Sequence, residues 1–312
     1  MRVKTIAKLL AAVPAAVLGA AAVTYGITFY SPYKPQNNPH MLPPGKQYKA
    51  ESERMHALIS DLEAIPCENV SITSHDGLKL CGRYYHKNDG APIAIGFHGY
   101  RGTAIRDFSG GSRISFARGY NLLIVDERAC GASQGHTIGF GIKERFDCLA
   151  WIDYVNKRFG EVPILLYGVS MGAATVLMAS GLDLPTNVKG IIADSPYSEA
   201  PAIIKKVCRD LHVSPKIAYP FLNLGARVFG NLRLNDASAA EAVRYARVPI
   251  LIIHGEDDRF VPCEMSHAIA AANPAMVTRH TFPKAAHGIS YIADTPRYES
   301  LIHAFFDQTV GT

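Results

Sequence analysis

The chain has 312 residues, 48% hydrophobic and 19% charged, which is enough apolar material for one large α/β domain or two small ones. Its formal charge of +5 is unevenly spread: residues 1–50 carry Arg2, Lys4, Lys8, Lys34, Lys46 and Lys49 and no acid, leaving 26 basic against 27 acidic residues in 51–312. A near-neutral main body gives no basic stripe for nucleic acid. The six cysteines, at 67, 81, 130, 148, 208 and 263, form neither a CxxC pair nor a cluster with zinc spacing, although a disulfide stays open.

The first element is "MRVKTIAK", a basic segment over residues 1–8, followed by 22 uncharged residues from Leu9 to Tyr30. That run is long enough for a bilayer-spanning helix. Tyr25, Phe29, Tyr30 and Tyr33 cluster at its far end in the manner of an interfacial aromatic belt, and the preceding positives place the N-terminus in the cytoplasm. The expectation is a single-pass signal anchor of the cell membrane over 9–30 with the rest of the chain extracytoplasmic. A cleaved signal peptide using Ala20 and Ala22, with a secreted product, competes with it. A buried helix of the main domain is the third reading. Residues 31–49 carry five prolines and few aliphatics and read as an extended linker, with a lead-in helix reaching residue 65.

From residue 66 the pattern changes. "ENVSITS" and "LKLCGRYY" alternate around "HDG", a hairpin signal. Continuous apolar runs follow at 92–98, 121–126, 163–168, 188–194 and 249–255, with a further strand at 278–283. Runs without alternation belong to strands covered on both faces, as in parallel sheets. Helical segments lie between them, so the fold class is α/β: an eight-stranded, mostly parallel sheet flanked by helices. The interval 195–247 is too long for a plain crossover and reads as a small helical cap over one end of the sheet, where ligands bind in such folds. There it would shape a pocket.

Within this frame Gly168-Val169-Ser170-Met171-Gly172 matches G-x-S-x-G at a strand-to-helix junction. A sharp turn there exposes a serine hydroxyl at the strand's carboxyl end, provided its neighbours are small. Serine needs a base, and His287, in "KAAHGIS" after the last strand, is the candidate. His98, after the third strand, reads as shaping its turn. The base needs a carboxylate. Asp257 and Asp258 follow the seventh strand, with Asp194 as runner-up and Asp126 read as bonding loop backbone. The backbone amides of Met171 and Tyr100 are candidate oxyanion donors.

Together "HDGLKLCGRYY", "FHGYRG", "DERACGASQG", "GVSMGAATVLMASGL", "ADSPYSE", "ILIIHGEDDRFVP" and "AAHGISY" resemble the α/β-hydrolase superfamily. More narrowly they resemble its bacterial, often membrane-anchored branch related to Bem46-like and prolyl-oligopeptidase-like serine hydrolases. The resemblance covers about residues 66–308. It implies the α/β-hydrolase fold over 66–312, and its H-G-x-x-D-x-x-V-P pattern assigns the acid to Asp258 with His254, Gly255, Val261 and Pro262 matching. Cys130 stands where such loops often carry a histidine or an aromatic residue, and reads as packing. The function expected is a serine hydrolase with the triad Ser170, Asp258 and His287, acting on a small ester, or alternatively a short peptide or amide, with no metal or cofactor. The partners expected are this substrate and a membrane, and no nucleic acid. A non-catalytic anchored binding protein on the same fold is the other class of function, disfavoured because every required position is filled.

Overall fold

The computed structural model describes the backbone of residues 2–31 and 38–311, with side chains from residue 14 onward. Three helices precede the sheet: α1 (Arg2–Thr28), α2 (Lys46–Ala50) and α3 (Ser52–Glu63). The antiparallel hairpin β1 (Glu68–Thr73) and β2 (Lys79–Tyr85) follows, then β3 (Ile93–Phe97), the short helices α4 (Ala104–Phe108) and α5 (Gly111–Ala117), and β4 (Asn121–Asp126). Next come α6 (Glu144–Phe159), β5 (Ile164–Val169), α7 (Met171–Ala179) and β6 (Val188–Asp194). The interval 195–247 holds α8 (Ala200–Asp210), α9 (Pro215–Gly230) and α10 (Ala239–Val243). The chain closes with β7 (Ile250–Gly255), α11 (Cys263–Ala272), β8 (Val277–Phe282), α12 (Ser290–Ala293) and α13 (Thr295–Thr309).

The eight strands form one sheet in the order β1-β2-β4-β3-β5-β6-β7-β8. β2 runs antiparallel to both β1 and β4, and every pairing from β4 through β3 to β8 is parallel. The apolar runs explain this. β3, β4 and β7 are buried at every position, because helices cover both faces. One core holds Trp151, Ile152, Val176 and Ile203; the other, across the sheet, holds Ile59, Leu62, Phe108 and Phe306. The chain leaves β3 for β4 on one side and then β5 on the other, so the crevice of this sheet opens beyond the carboxyl ends of β3 and β5.

The described part of the N-terminal region packs more closely onto the domain than its sequence suggests. Among the described residues no helix is long and apolar enough to cross a membrane. The later half of α1 packs onto the domain instead of standing clear of it: Ala21 and Phe29 are fully buried, and the Phe29 ring meets Phe140 edge-on. Tyr25 and Tyr30, read as an aromatic belt, touch protein too, through Phe229 and His136. The side chains of residues 1–13, which include the start of the proposed span, and all of Tyr33 lie outside the described residues. The lead-in helix expected before residue 65 corresponds to α3, which buries Leu58, Ile59 and Leu62, while the end of the tract read as linker forms α2 and buries Tyr48. Cys67 is exposed, Cys148 and Cys208 are buried, and Cys130 is buried within a core, where it packs.

One buried ion pair ties the hairpin to the body. The Arg128 guanidinium donates twice to Asp147 on α6, at 2.6 Å each, and to Asp76 in the hairpin turn at 2.8 Å. Burial pushes the Asp76 carboxyl up, but the bonds from Arg128 and Ser74 outweigh this and hold it well below the usual carboxylate range. Arg128→Met would leave Asp147 buried without its cation. A loss of about 3–5 kcal/mol is expected from urea unfolding, and a loss under about 1 kcal/mol would show the pair to be dispensable.

Candidate active site

Ser170 sits between β5 and α7 with φ 55° and ψ −110°, a conformation that non-glycine residues rarely adopt. Its amide donates to the Asp194 carbonyl at 2.8 Å, and its carbonyl receives the Ala174 amide at 3.0 Å, starting the helix. The flanking glycines are required by space. A Cβ on Gly168 would lie 2.2 Å from the Gly172 carbonyl oxygen, and one on Gly172 would lie 1.9 Å from that of Phe97. The turn therefore closes only because two side chains are missing, and α7 is pressed against the end of β3. Gly172→Ala must lift α7 off β3 and shift the Met171 amide. It is expected to lower both melting temperature and activity, the latter by about 10²–10³-fold if that amide holds an oxyanion; unchanged values for both would contradict this account.

His287 follows β8 and reaches Ser170. Its Nδ1–H donates to Asp258 Oδ2 at 2.7 Å, which leaves Nε2 to accept the Ser170 hydroxyl at 2.8 Å. Asp258, in the turn after β7, is fixed independently: its Oδ1 accepts the amides of Phe260 at 2.9 Å and Val261 at 2.7 Å. Buried His254 donates to the Val261 carbonyl at 2.9 Å and lies 3.2 Å from Asp258 Oδ2. Burial pushes the Asp258 carboxyl up, yet the bonds from His254 and His287, the His287 charge and the Val261 amide together hold it well below the ordinary range.

The loop after β3 lies against the serine, since a Cβ on Gly99 would be 3.3 Å from that of Ser170. Asp107 shapes this loop by accepting the Gly99 amide and the Arg106 Nε–H, both at 2.8 Å. The amides of Tyr100 and Met171 donate to no protein group among the described residues. His98 does what its position predicts: Nδ1–H donates to the Gly99 carbonyl at 2.8 Å and Nε2 accepts the Glu127 amide at 3.0 Å. Burial pushes its pKa down, consistent with a neutral ring.

The remaining acids go elsewhere. Asp194 accepts the Tyr298 hydroxyl and the Ser195 hydroxyl, each at 2.9 Å, and makes no bond to His287. Asp126 accepts the Ala132 amide at 3.0 Å, bonding loop backbone. The Asp257 amide donates to the Ala285 carbonyl at 3.0 Å, while its carboxylate is exposed.

A cavity of about 310 Å³ opens over Ser170 and His287. The expectation that the 195–247 insert shapes it fails, because no residue of that interval lines it. One wall is instead Pro43, Pro44, Tyr48, Met55 and Leu58, from the region read as linker and lead-in; Phe260 and Tyr291 stand elsewhere around it. The Tyr48 hydroxyl donates to the His287 carbonyl at 2.7 Å and so supports the turn that carries the base. Sequence reasoning missed Tyr48, an aromatic residue in a proline-rich tract with no periodic pattern around it.

The pattern of the serine aminopeptidase S33 family matches residues 93–239. Uncharacterized protein YqkD of Bacillus subtilis is 22% identical over 264 residues, 83% of this chain and 85% of its own length. Human protein ABHD12B is 30% identical over 193 residues, 56% of this chain and 48% of its own, and the zebrafish (Danio rerio) lysophosphatidylserine lipase ABHD12 is 25% identical over 181, 56% of this chain and 45% of its own. The chain thus spans about half the length of these two relatives. Among solved structures, the Pyrococcus furiosus esterase Pf2001 superposes with a TM-score of 0.66 at 21% identity, over 80% of this chain and 93% of that one. With the sheet order and the turn at Ser170 already described, these likenesses show that the chain has the α/β-hydrolase fold.

Proposed function

We propose that the protein is a serine hydrolase that cleaves carboxylic esters through an acyl-enzyme on Ser170. The observation that carries this reading is the continuous chain from the Ser170 hydroxyl through His287 to Asp258, at 2.8 and 2.7 Å. His287 Nε2 takes the hydroxyl proton as Oγ attacks the ester carbonyl. The oxygen that becomes negative is met by the amides of Met171 and Tyr100. His287 then returns the proton to the leaving alcohol, and water deprotonated by the same nitrogen releases the acid. No step calls for a metal or cofactor.

The S33 description and the solved esterases leave both amide and ester chemistry within reach. The cavity favours an ester. An aminopeptidase needs a spare carboxylate for the substrate's ammonium group. Of the acids along this cavity, Asp107 is engaged by Arg106 and the Gly99 amide, and Asp194 by Tyr298 and Ser195. The lining is otherwise mainly apolar and aromatic, which suits an uncharged acyl or alcohol group.

The test is hydrolysis of p-nitrophenyl esters from acetyl to palmitoyl by the full chain, beside matched p-nitroanilides. Turnover that peaks at one acyl length and exceeds that of the anilides is expected. Faster anilide cleavage would move the protein to the amidases, and absence of both turnover and fluorophosphonate labelling would remove the hydrolase reading.

A further inference from the structure

α1 raises a question that neither its apolar run nor the hydrolase site answers. Its later half is fixed to the cap. Ala21 meets Gly225 of α9 so closely that a Cβ there would lie 2.3 Å from the Ala21 carbonyl oxygen, and the Tyr25 hydroxyl is 2.7 Å from that of Thr137. Yet Val23 and Ile27, on the other side of the same helix, are exposed, Ile27 to 68%, and Leu18 is exposed nearer its start. Thr24, which could have offered a polar group, donates its hydroxyl to the Ala21 carbonyl. The cap continues this surface. Val228 and Phe229 are exposed beside Tyr25, and Leu211 and Ile217, 69% and 68% exposed, stand at the turn between α8 and α9 and at the start of α9. An apolar surface of this extent is rarely left to water.

Charge indicates what covers it. Residues 1–50 carry six basic side chains and no acid, and residues 200–233 carry six basic side chains and one acid, Asp210. The other 228 residues carry 20 basic against 26 acidic. The positive charge of the molecule is therefore gathered in the two stretches of sequence that hold α1 and the α8–α9 cap. A second copy docked face to face would bring together two stretches of net positive charge. An anionic lipid surface satisfies both the apolar residues and that charge.

We propose that α1 and the α8–α9 cap form one membrane-seating surface, which lays the domain against an anionic bilayer along its cap. This differs from a domain hanging on a free anchor, because the cap residues themselves enter the interface, and it does not depend on the ester-hydrolase reading. Lys205, Lys216 and Arg227 supply headgroup contacts, and Ile217, Val228 and Phe229 enter the acyl boundary.

Tryptophan quenching tests this in the full chain. The protein has one tryptophan, Trp151, buried in the core. Phe229→Trp and Ile217→Trp each add one on the proposed face, and Asp89→Trp adds one in the exposed turn after β2. On vesicles of equal parts phosphatidylcholine and phosphatidylglycerol, brominated phosphatidylcholine is expected to quench the 229 and 217 probes and to leave the 89 probe bright. Neutralising Lys205, Lys216 and Arg227 to glutamine is expected to weaken the quenching interaction about fivefold per residue at low salt. Protein that floats with the vesicles while probes 229 and 217 stay unquenched would reduce α1 to a tether and overturn the proposal. Failure to float, or a dimer in solution that shields both probes without lipid, would overturn it as well.

Discussion

Ser170→Ala is expected to lower turnover of the best p-nitrophenyl ester about 10⁵–10⁶-fold while leaving thermal unfolding unchanged. The hydroxyl's partner is His287 Nε2, and the strained backbone at 170 is held by the Asp194 carbonyl and by the start of α7, which alanine retains. The variant therefore separates chemistry from folding. Activity within tenfold of the parent, with equal melting curves, would mean that the hydrolysis arises elsewhere. Loss of fluorophosphonate labelling in the same variant would locate the acyl group on this oxygen.

Asp258→Asn is expected to cost about 10⁴-fold in kcat, and the structure says why a near-isosteric change should matter so much. The amides of Phe260 and Val261 point at Oδ1, so the asparagine oxygen must take that place. Its NH₂ group then falls at Oδ2, facing His287 Nδ1 and His254 Nε2. As a donor it forces His287 into the Nε2–H tautomer, which cannot accept the serine proton. In the parent, Asp258 is held ionised well below the usual carboxylate range. Its activity should therefore show no acid limb from Asp258 as the pH falls through the ordinary carboxylate range. Calorimetry and a pH–rate profile check both points. A loss smaller than tenfold, or a parental loss of activity that titrates a carboxyl in the ordinary range, would contradict this assignment of the carboxylate.

How much of this was legible in the sequence follows the physics of each element. The strands were readable because burial on both faces demands unbroken apolar runs, and the turn at Ser170 because its steric demand selects two glycines. That Asp258 and His287 should approach Ser170 follows from the parallel sheet, which gathers the loops after β5, β7 and β8 at one edge. What covers that edge was not readable. Tyr48 sits in a tract whose prolines and polar residues look like a linker, and the lead-in helix that carries Met55 and Leu58 does not announce which surface it covers; their place at the cavity depends on contacts more than two hundred residues away in the chain. The 195–247 insert announced itself by length, but length does not say which way an insert folds. The uncharged run at 9–30 likewise reports a need for apolar surroundings without saying whether protein or lipid supplies them.

The junction between α1 and the loop after β3 carries a mechanical consequence. Tyr100 donates its hydroxyl to the Thr28 carbonyl at 2.8 Å, and Arg101 grips the carbonyls of Ile27 at 2.9 Å and Tyr30 at 3.1 Å. These are carbonyls at and just beyond the helix end, which lack partners within the helix. The two residues that hold them belong to the segment whose Tyr100 amide faces the reacting carbonyl in the proposed chemistry. Helix and loop therefore share one set of bolts. A load that drew α1 away from the body would reach the reaction centre through a single residue, so peeling this helix off, more than severing the chain ahead of it, is what would slacken the site.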